Sequence, residues 1–393
     1  MSNDISKPKK GRRKFTFAFF TTLILPFTKL LFNYKYERIP KIDGPIILLC
    51  NHTTDCDCGF VAAAARRPIR FVATENVARM GLLGKILMFL FEPILHYKGA
   101  VGIGTVKQIL QAVKDGQNVG LFPEGNRTFN GITCPIPSST AKMIRSSGAT
   151  LVNYKLSGGY FTTPRWGRKI RKGMIKGSIS GIYPPETLRS MTNEEVKNII
   201  EKDLYVDAYA EQKLCPIRYK NKNRAEYLES TLFMCPKCHK IGTLISSGCS
   251  IRCTDCNYLA EYTEYGYVLS EGVEKTITEL DAAQHEYIKQ LTDLEHSKPL
   301  FGDKVILKEI DNNHAIVSEK ECEVKAWFDR FELGDNVIDF EDIEGIAINQ
   351  RNLLLINVKS KDTHFEVSSD GHFSALKYLY LVRTVSNSKN GVL

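Results

Sequence analysis

The sequence lacks an apolar run long enough to cross a membrane cleanly. A spanning helix needs about 20 consecutive, mostly apolar residues. The best candidate, Phe15 to Phe32, is interrupted by Thr21, Thr22, Pro26 and Lys29. A secretory cleavage site is missing too, because Lys29, Asn33, Tyr34 and Lys35 stand where small residues would be needed. No internal repeat and no low-complexity tract is present, which sets aside repeat arrays and linker-like chains. Eleven cysteines, unevenly placed over 393 residues, are too few for a disulfide scaffold. Hydrophobic content of 43% and charged content of 25% are ordinary globular values, and they exclude wholesale disorder.

A chain of 393 residues exceeds the size at which one core stops growing, so two or three domains are expected. The net charge of +9 favours anionic partners such as phosphate esters, lipid headgroups or nucleic acid. Lys7, Lys9, Lys10, Arg12, Arg13 and Lys14 precede the interrupted apolar run. That order suits a helix lying in a membrane interface with its cations near headgroups. A helix that merely covers the core of the next domain is the alternative. On the first reading, residues 1–37 form a basic, hydrophobic membrane-associating segment. The protein is then cytoplasmic, peripheral or monotopic on the inner face of the membrane.

From Pro45 onward, strand-like and helix-like segments alternate. Ile46 to Cys50, Ile69 to Ala73 and Asn118 to Phe122 read as buried strands, while Val61 to Ala65 and Val106 to Val113 read as helices. Such alternation predicts an α/β domain with a largely buried sheet, spanning 38–213. It closes on a helix capped by Thr192 with Glu195 three residues on. A small cysteine module is expected over 230–268 and a connecting helix over 269–300. Short β-rich runs with a terminal helix after Asp370 then fill 301–393.

Three clusters carry chemistry. The first is Asn51-His52-Thr53-Thr54-Asp55-Cys56-Asp57, directly after the Ile46 to Cys50 strand. A histidine at the end of a buried strand sits where α/β sheets build their sites. It can take a proton from an alcohol, given a carboxylate to hold its other nitrogen. Asp57 can fold back to do so, and Asp55 competes on spacing alone. A capping Asp beside an ordinary His is the plain alternative.

The second cluster is Phe122-Pro123-Glu124-Gly125-Asn126-Arg127-Thr128, again after a strand. Gly125 permits a tight turn, Arg127 offers a fork of donors suited to phosphate, and Glu124 can orient it or bind a hydroxyl. A polar turn with a local Glu–Arg pair explains the same residues more plainly.

The third cluster pairs Cys235-Pro236-Lys237-Cys238 with Cys253-Thr254-Asp255-Cys256. Two C-x-x-C knuckles at this spacing suit a closed, four-thiolate structural zinc site, and iron fits the same sulfurs. The basic loop Pro164 to Lys172 reads as a solvated charge run, a seat for CoA phosphates, or a contact with anionic lipid.

Together the first two motifs resemble the glycerol-phosphate and lysophospholipid acyltransferases, whose hallmarks are N-H-x-x-x-x-D and F-P-E-G-[ST]-R. Asn51, His52 and Asp57 match the first; Phe122, Pro123, Glu124, Gly125 and Arg127 match the second, with Asn126 at the Ser/Thr position. The resemblance implies that His52 is the general base and Asp57 its orienting carboxylate. It also implies an acyl-CoA or acyl carrier protein donor, and acceptor binding by Glu124, Gly125, Asn126 and Arg127. Lys98 stands where the family usually has a phosphate-contacting arginine. Thr150 to Tyr154 loosely echoes the family's apolar strand with proline. The implied activity is acyl transfer to a lysophospholipid, chiefly lysophosphatidic acid, in phospholipid biosynthesis. Two rivals remain: a zinc-ribbon binding protein for nucleic acid or protein partners, which leaves the paired motifs as coincidence, and a lipid esterase or thioesterase on the same fold. The C-terminal region resembles a pleckstrin-homology-like domain by strand count and terminal helix.

Overall fold

The structure is a computed structural model that describes residues 10–19, 22, 25–74, 77, 81–96, 103–292, 297–311, 315–359, 362–369 and 371–389. The chain divides into two compact units. One comprises Met1–Pro164 with Arg171–Tyr219, and the other Arg165–Ile170 with Lys220–Leu393.

The first unit is built on a seven-stranded sheet. Its strands are β1 (Tyr34–Tyr36), β2 (Ile46–Cys50), β3 (Ile69–Thr74), β4 (Ile94–His96), β5 (Asn118–Leu121), β6 (Thr150–Ser157) and β7 (Ile175–Tyr183). They lie in the order β1-β7-β6-β2-β5-β3-β4. The five strands β6, β2, β5, β3 and β4 are mutually parallel, whereas β7 runs antiparallel to β6 and β1 follows β7 in direction. All five residues of β2 are buried, as a central parallel strand covered on both faces requires. Ile47 and Leu49 join Val119, Leu151, Ile109, Ile144, Val196 and Ile200 in one core cluster. The helices Ile103–Lys114, Ser139–Ser147 and Asn193–Leu204 supply its apolar face. The last of these begins at Thr192, whose hydroxyl accepts from the Glu195 amide in a full capping box.

Two helices are described in and around the apolar run at 15–32. These are Lys10–Phe19 and Leu25–Phe32, and Pro26 falls in the first turn of the second, where proline is tolerated. Lys7 and Lys9 lie outside the described residues. Leu25 and Phe32 are buried, with Phe32 packed edge-on to Phe60 at 5.2 Å, whereas Phe27, Leu30 and Leu31 remain exposed. Among the described residues no helix is long and apolar enough to cross a membrane.

The second unit holds two sheets. The smaller is β8 (Leu244–Ser247), β9 (Ser250–Cys253), β10 (Leu259–Tyr262), β11 (Val268–Ser270) and β12 (Val273–Lys275), an antiparallel meander in sequence order. Its last two strands reach past residue 268, into the stretch expected as connecting helix. That helix is Ile277–Thr292, and it starts late because Thr276 and Glu279 cap it, each amide donating to the other's side chain. The larger sheet is β13 (Phe301–Asp311), β14 (Ile316–Ala326), β15 (Arg330–Leu333), β16 (Asn336–Asp339), β17 (Ile343–Asn349), β18 (Leu353–Val358) and β19 (Thr363–Ser368), followed by the helix Ala375–Lys389. The order β16-β15-β14-β13-β19-β18-β17 joins a four-strand and a three-strand meander through the first and last strands. The chain turns at 327–329, so Val324 and Phe331 fall on separate strands, β14 and β15.

In the basic loop Arg168, Lys169 and Lys172 are exposed, as a solvated charge run would have them, but the rest is not. Arg165, Trp166 and Arg171 are buried. Arg165 donates to the carbonyls of Ile348 (2.8 Å) and Gln350 (3.1 Å), and Trp166 packs edge-on to Tyr262 at 5.3 Å. Burying these guanidiniums is tolerable only because they meet acceptors.

Candidate active site

The Asn51–Asp57 loop leaves the carboxyl end of β2, at the centre of the parallel sheet, and its next-door neighbour β5 ends level with it. Asn51 pins the start of the loop. Its side-chain nitrogen donates to the Leu156 carbonyl (2.9 Å), and its oxygen accepts from the Leu156 amide (2.7 Å), so one amide extends the pairing of β2 with β6.

Asp57 is the organising group. It is buried at the first position of the helix Asp57–Ala65, where the helix dipole favours negative charge. Its Oδ2 accepts from the amides of Thr53 (2.6 Å) and Thr54 (2.9 Å) and from His52 Nδ1 (2.9 Å), while Oδ1 accepts from the Thr54 hydroxyl (2.6 Å). With Nδ1–H spent on the carboxylate, Nε2 carries the lone pair. The imidazole is also held from the side, because Phe122 stacks on it with ring centres 4.6 Å apart and planes 22° apart. The His52 side chain keeps 25% of its surface accessible, so a buried carboxylate holds a reachable imidazole. Asp55, the other carboxylate that spacing allowed, does not touch His52; it pairs with Arg127.

Glu124 lies beneath the loop. It is buried, and its oxygens accept from the amides of His52 (2.6 Å) and Cys134 (2.6 Å). Burial pushes its carboxyl up to about 8, against the pull of those two amides. Gly125 adopts φ +65° in the turn after it, a left-handed conformation for which glycine carries no steric penalty. Asn126 is half-buried on that turn. Arg127 is buried and donates from Nε to the Thr53 carbonyl (3.1 Å) and from Nη2 to the Thr163 carbonyl. Its Nη1 meets Asp55 Oδ1 at 2.8 Å. The structure therefore brings His52, Asp57, Glu124, Gly125, Asn126 and Arg127 to one rim of the sheet. Lys98 lies outside the described residues.

Sequence reasoning gave no role to Asn51 or Phe122, although both belong to the matched motifs, and none to Thr54 or Gly159. Gly159 shows only in three dimensions, since a Cβ there would sit 2.2 Å from the Thr53 hydroxyl. A small cavity lies beside the base, lined in part by Asn51, His52, Glu124, Thr128 and Tyr160.

The sulfurs of Cys235, Cys238, Cys253 and Cys256 all lie within 4.8 Å of one another. Cys235 to Cys256 is 3.7 Å and Cys238 to Cys253 is 3.8 Å. A tetrahedral ion with sulfur arms of about 2.3 Å needs edges of about 3.8 Å, whereas a disulfide needs about 2.05 Å. These residues fit a four-thiolate metal site.

The α/β architecture with a histidine–carboxylate pair at its rim defines a class. Residues 32–156 match the model of the acyltransferase family, described as "Acyltransferase". The matched segment holds His52, Asp57, Glu124 and Arg127. Among solved structures, the chain is similar to the 1-acyl-sn-glycerophosphate (LPA) acyltransferase PlsC from Thermotoga maritima. The identity is 17% and the TM-score 0.44, with 55% of this chain and 86% of that one covered. No curated protein matches the chain.

Proposed function

We propose that the enzyme moves a fatty acyl group from acyl-CoA or an acyl carrier protein to a hydroxyl of a lysophospholipid, lysophosphatidic acid first, in phospholipid biosynthesis. One observation carries the reading: within the family-matched segment, His52 Nδ1 is tied to buried Asp57 at 2.9 Å beside the buried cation of Arg127. His52 Nε2 removes the acceptor's hydroxyl proton as that oxygen attacks the thioester carbonyl. The tetrahedral adduct collapses by breaking the carbon–sulfur bond, and the departing thiolate recovers the proton. An ester and a free thiol result, with no acyl-enzyme. Asp57 orients the imidazole and stabilises its cation. Glu124, through the His52 and Cys134 amides, positions the loop, and Arg127 with Asn126 binds the acceptor's phosphate end.

Phe15, Phe27, Leu30 and Leu82 are 70%, 65%, 84% and 76% exposed, and among the described residues no helix is long and apolar enough to cross a membrane. They support an interfacial seat on the cytoplasmic leaflet, where a lipid acceptor is met directly. Zinc is the ion we assign to Cys235, Cys238, Cys253 and Cys256, in a structural role. Strand order and the closing helix support a pleckstrin-homology-like reading of 301–393, which names no ligand by itself.

The test is acyl transfer from long-chain acyl-CoA to lysophosphatidic acid, followed by mass spectrometry beside His52→Ala. The variant is expected to lose about 10²–10⁴-fold. Thioester loss without new ester, in the presence of a panel of lysolipids and both donors, would turn the reading to hydrolysis on the same base.

A further inference from the structure

Arg127 is held in place by the protein's own backbone. Nε is fixed on the Thr53 carbonyl and Nη2 on the Thr163 carbonyl, and the residue is 8% exposed. The guanidinium therefore cannot swing to follow a ligand. Its Nη1 points to Asp55 Oδ1 at 2.8 Å, and that carboxylate's side chain is 72% exposed. A fixed, buried cation is thus covered by a solvent-facing anion on a turn residue, free to change rotamer. Asp55 lies between His52 and Asp57 in the chain yet contributes nothing to holding the base.

We propose that Asp55 is a specificity-determining residue: its carboxylate holds the place that an acceptor's phosphate must take on Arg127, and it weakens dianionic acceptors relative to neutral ones. This deepens the acceptor assignment above and rests on it. A phosphate monoester exchanges with the Asp55 carboxylate at Nη1, and Asp55 turns to solvent. The displaced carboxylate stays within a Debye length of the bound phosphate, about 10 Å at 0.1 M salt, so the repulsion is not escaped. An exposed pair of this kind is worth up to about fivefold in an equilibrium, and salt diminishes it. A neutral acceptor such as a monoacylglycerol gains nothing from the exchange and loses nothing to Asp55.

The experiment compares wild type, Asp55→Asn and Asp55→Glu in two readouts at low and at 0.5 M salt. Steady-state kinetics use lysophosphatidic acid and monoacylglycerol as acceptors. Calorimetry measures the binding of glycerol 3-phosphate, which needs no turnover. Expected for Asp55→Asn is an about three- to fivefold lower KM for lysophosphatidic acid and tighter glycerol 3-phosphate binding at low salt. The gain should fade at high salt, with kcat and the monoacylglycerol KM unmoved. Asp55→Glu, which keeps the charge, should restore the wild-type KM. Unchanged binding in Asp55→Asn, or equal changes for both acceptors insensitive to salt, overturns the proposal and leaves acyl transfer standing. Tighter glycerol 3-phosphate binding without transfer to any lysolipid upholds the exchange at Arg127 and instead sinks the proposed reaction.

Discussion

Replacing Asp57 by Asn separates two contributions that a carboxylate makes to a histidine base: charge, and choice of tautomer. The amide has one accepting oxygen and one donating nitrogen, so it must decide which carboxylate oxygen to imitate. At Oδ2 three donors converge: the amides of Thr53 and Thr54 and His52 Nδ1. An NH2 group there would face two immovable N–H groups. At Oδ1 the close neighbour is the Thr54 hydroxyl, which can accept. The Asn oxygen is therefore directed to Oδ2, His52 keeps its proton on Nδ1, and Nε2 remains a base. What is lost is the charge-assisted part of the bond to the forming imidazolium, about 1–2 kcal/mol or roughly 5–30-fold in kcat. Asp57→Ala behaves differently. It releases the imidazole and strands two buried amides at about 1–3 kcal/mol each, so stability falls by about 2–6 kcal/mol. The assay is kcat with lysophosphatidic acid and acyl-CoA beside a thermal melt. An Asn variant as inactive as the Ala variant, while melting like wild type, would refute the assignment of the amide's orientation and the tautomer control derived from it.

Glu124 should give stability a slope with pH. Its folded carboxyl titrates near 8, above its ordinary 4.5, so the stability it contributes is complete below about 4.5 and is lost as pH rises through 8. Within that window the slope is about 1.4 kcal/mol per pH unit. Glu124→Gln should flatten it, and equal slopes in melts from pH 5 to 8 would refute the buried-acid account. Metal analysis should find one ion per chain at the four cysteines. Cys253→Ser or a strong chelator should remove it and lower the melting temperature of the second unit, with full metal retention in Cys253→Ser as the contrary result. Trp166→Ala should cost about 3–5 kcal/mol, since the indole is 1% exposed against Tyr262. A melt within a degree of wild type would contradict the burial of that loop.

Much of the first unit could be read from the chain because its signals are local. Five apolar residues in a row at Ile46–Cys50 make a buried strand, and Thr192 with Glu195 makes a helix start. His52 and Asp57 stood out for the same reason, being five residues apart on one turn. The rest depends on distance. Arg165 and Trp166 read as part of a basic loop until the carbonyls of Ile348 and Gln350 and the ring of Tyr262 are placed beside them. The hold of Glu124 on the His52 amide, 72 residues earlier, has no local signal either. The strands Val268–Ser270 and Val273–Lys275 are three residues each and carry too little pattern to outweigh a helical expectation.

The Asn51–Leu156 pairing spans 105 residues, and Glu124 and Arg127 close on the His52 loop from more than 70 residues away. A ribosome adds about 5–20 residues per second. The histidine loop of a nascent chain therefore waits about 5–20 s for the strand that completes it. His52 and Asp57 can meet first, Phe122, Glu124 and Arg127 follow about 70 residues later, and the amide clip to Leu156 comes last. The last clip on the loop, Asn51 to Leu156, therefore closes only once β6, the strand beside β2, has been made.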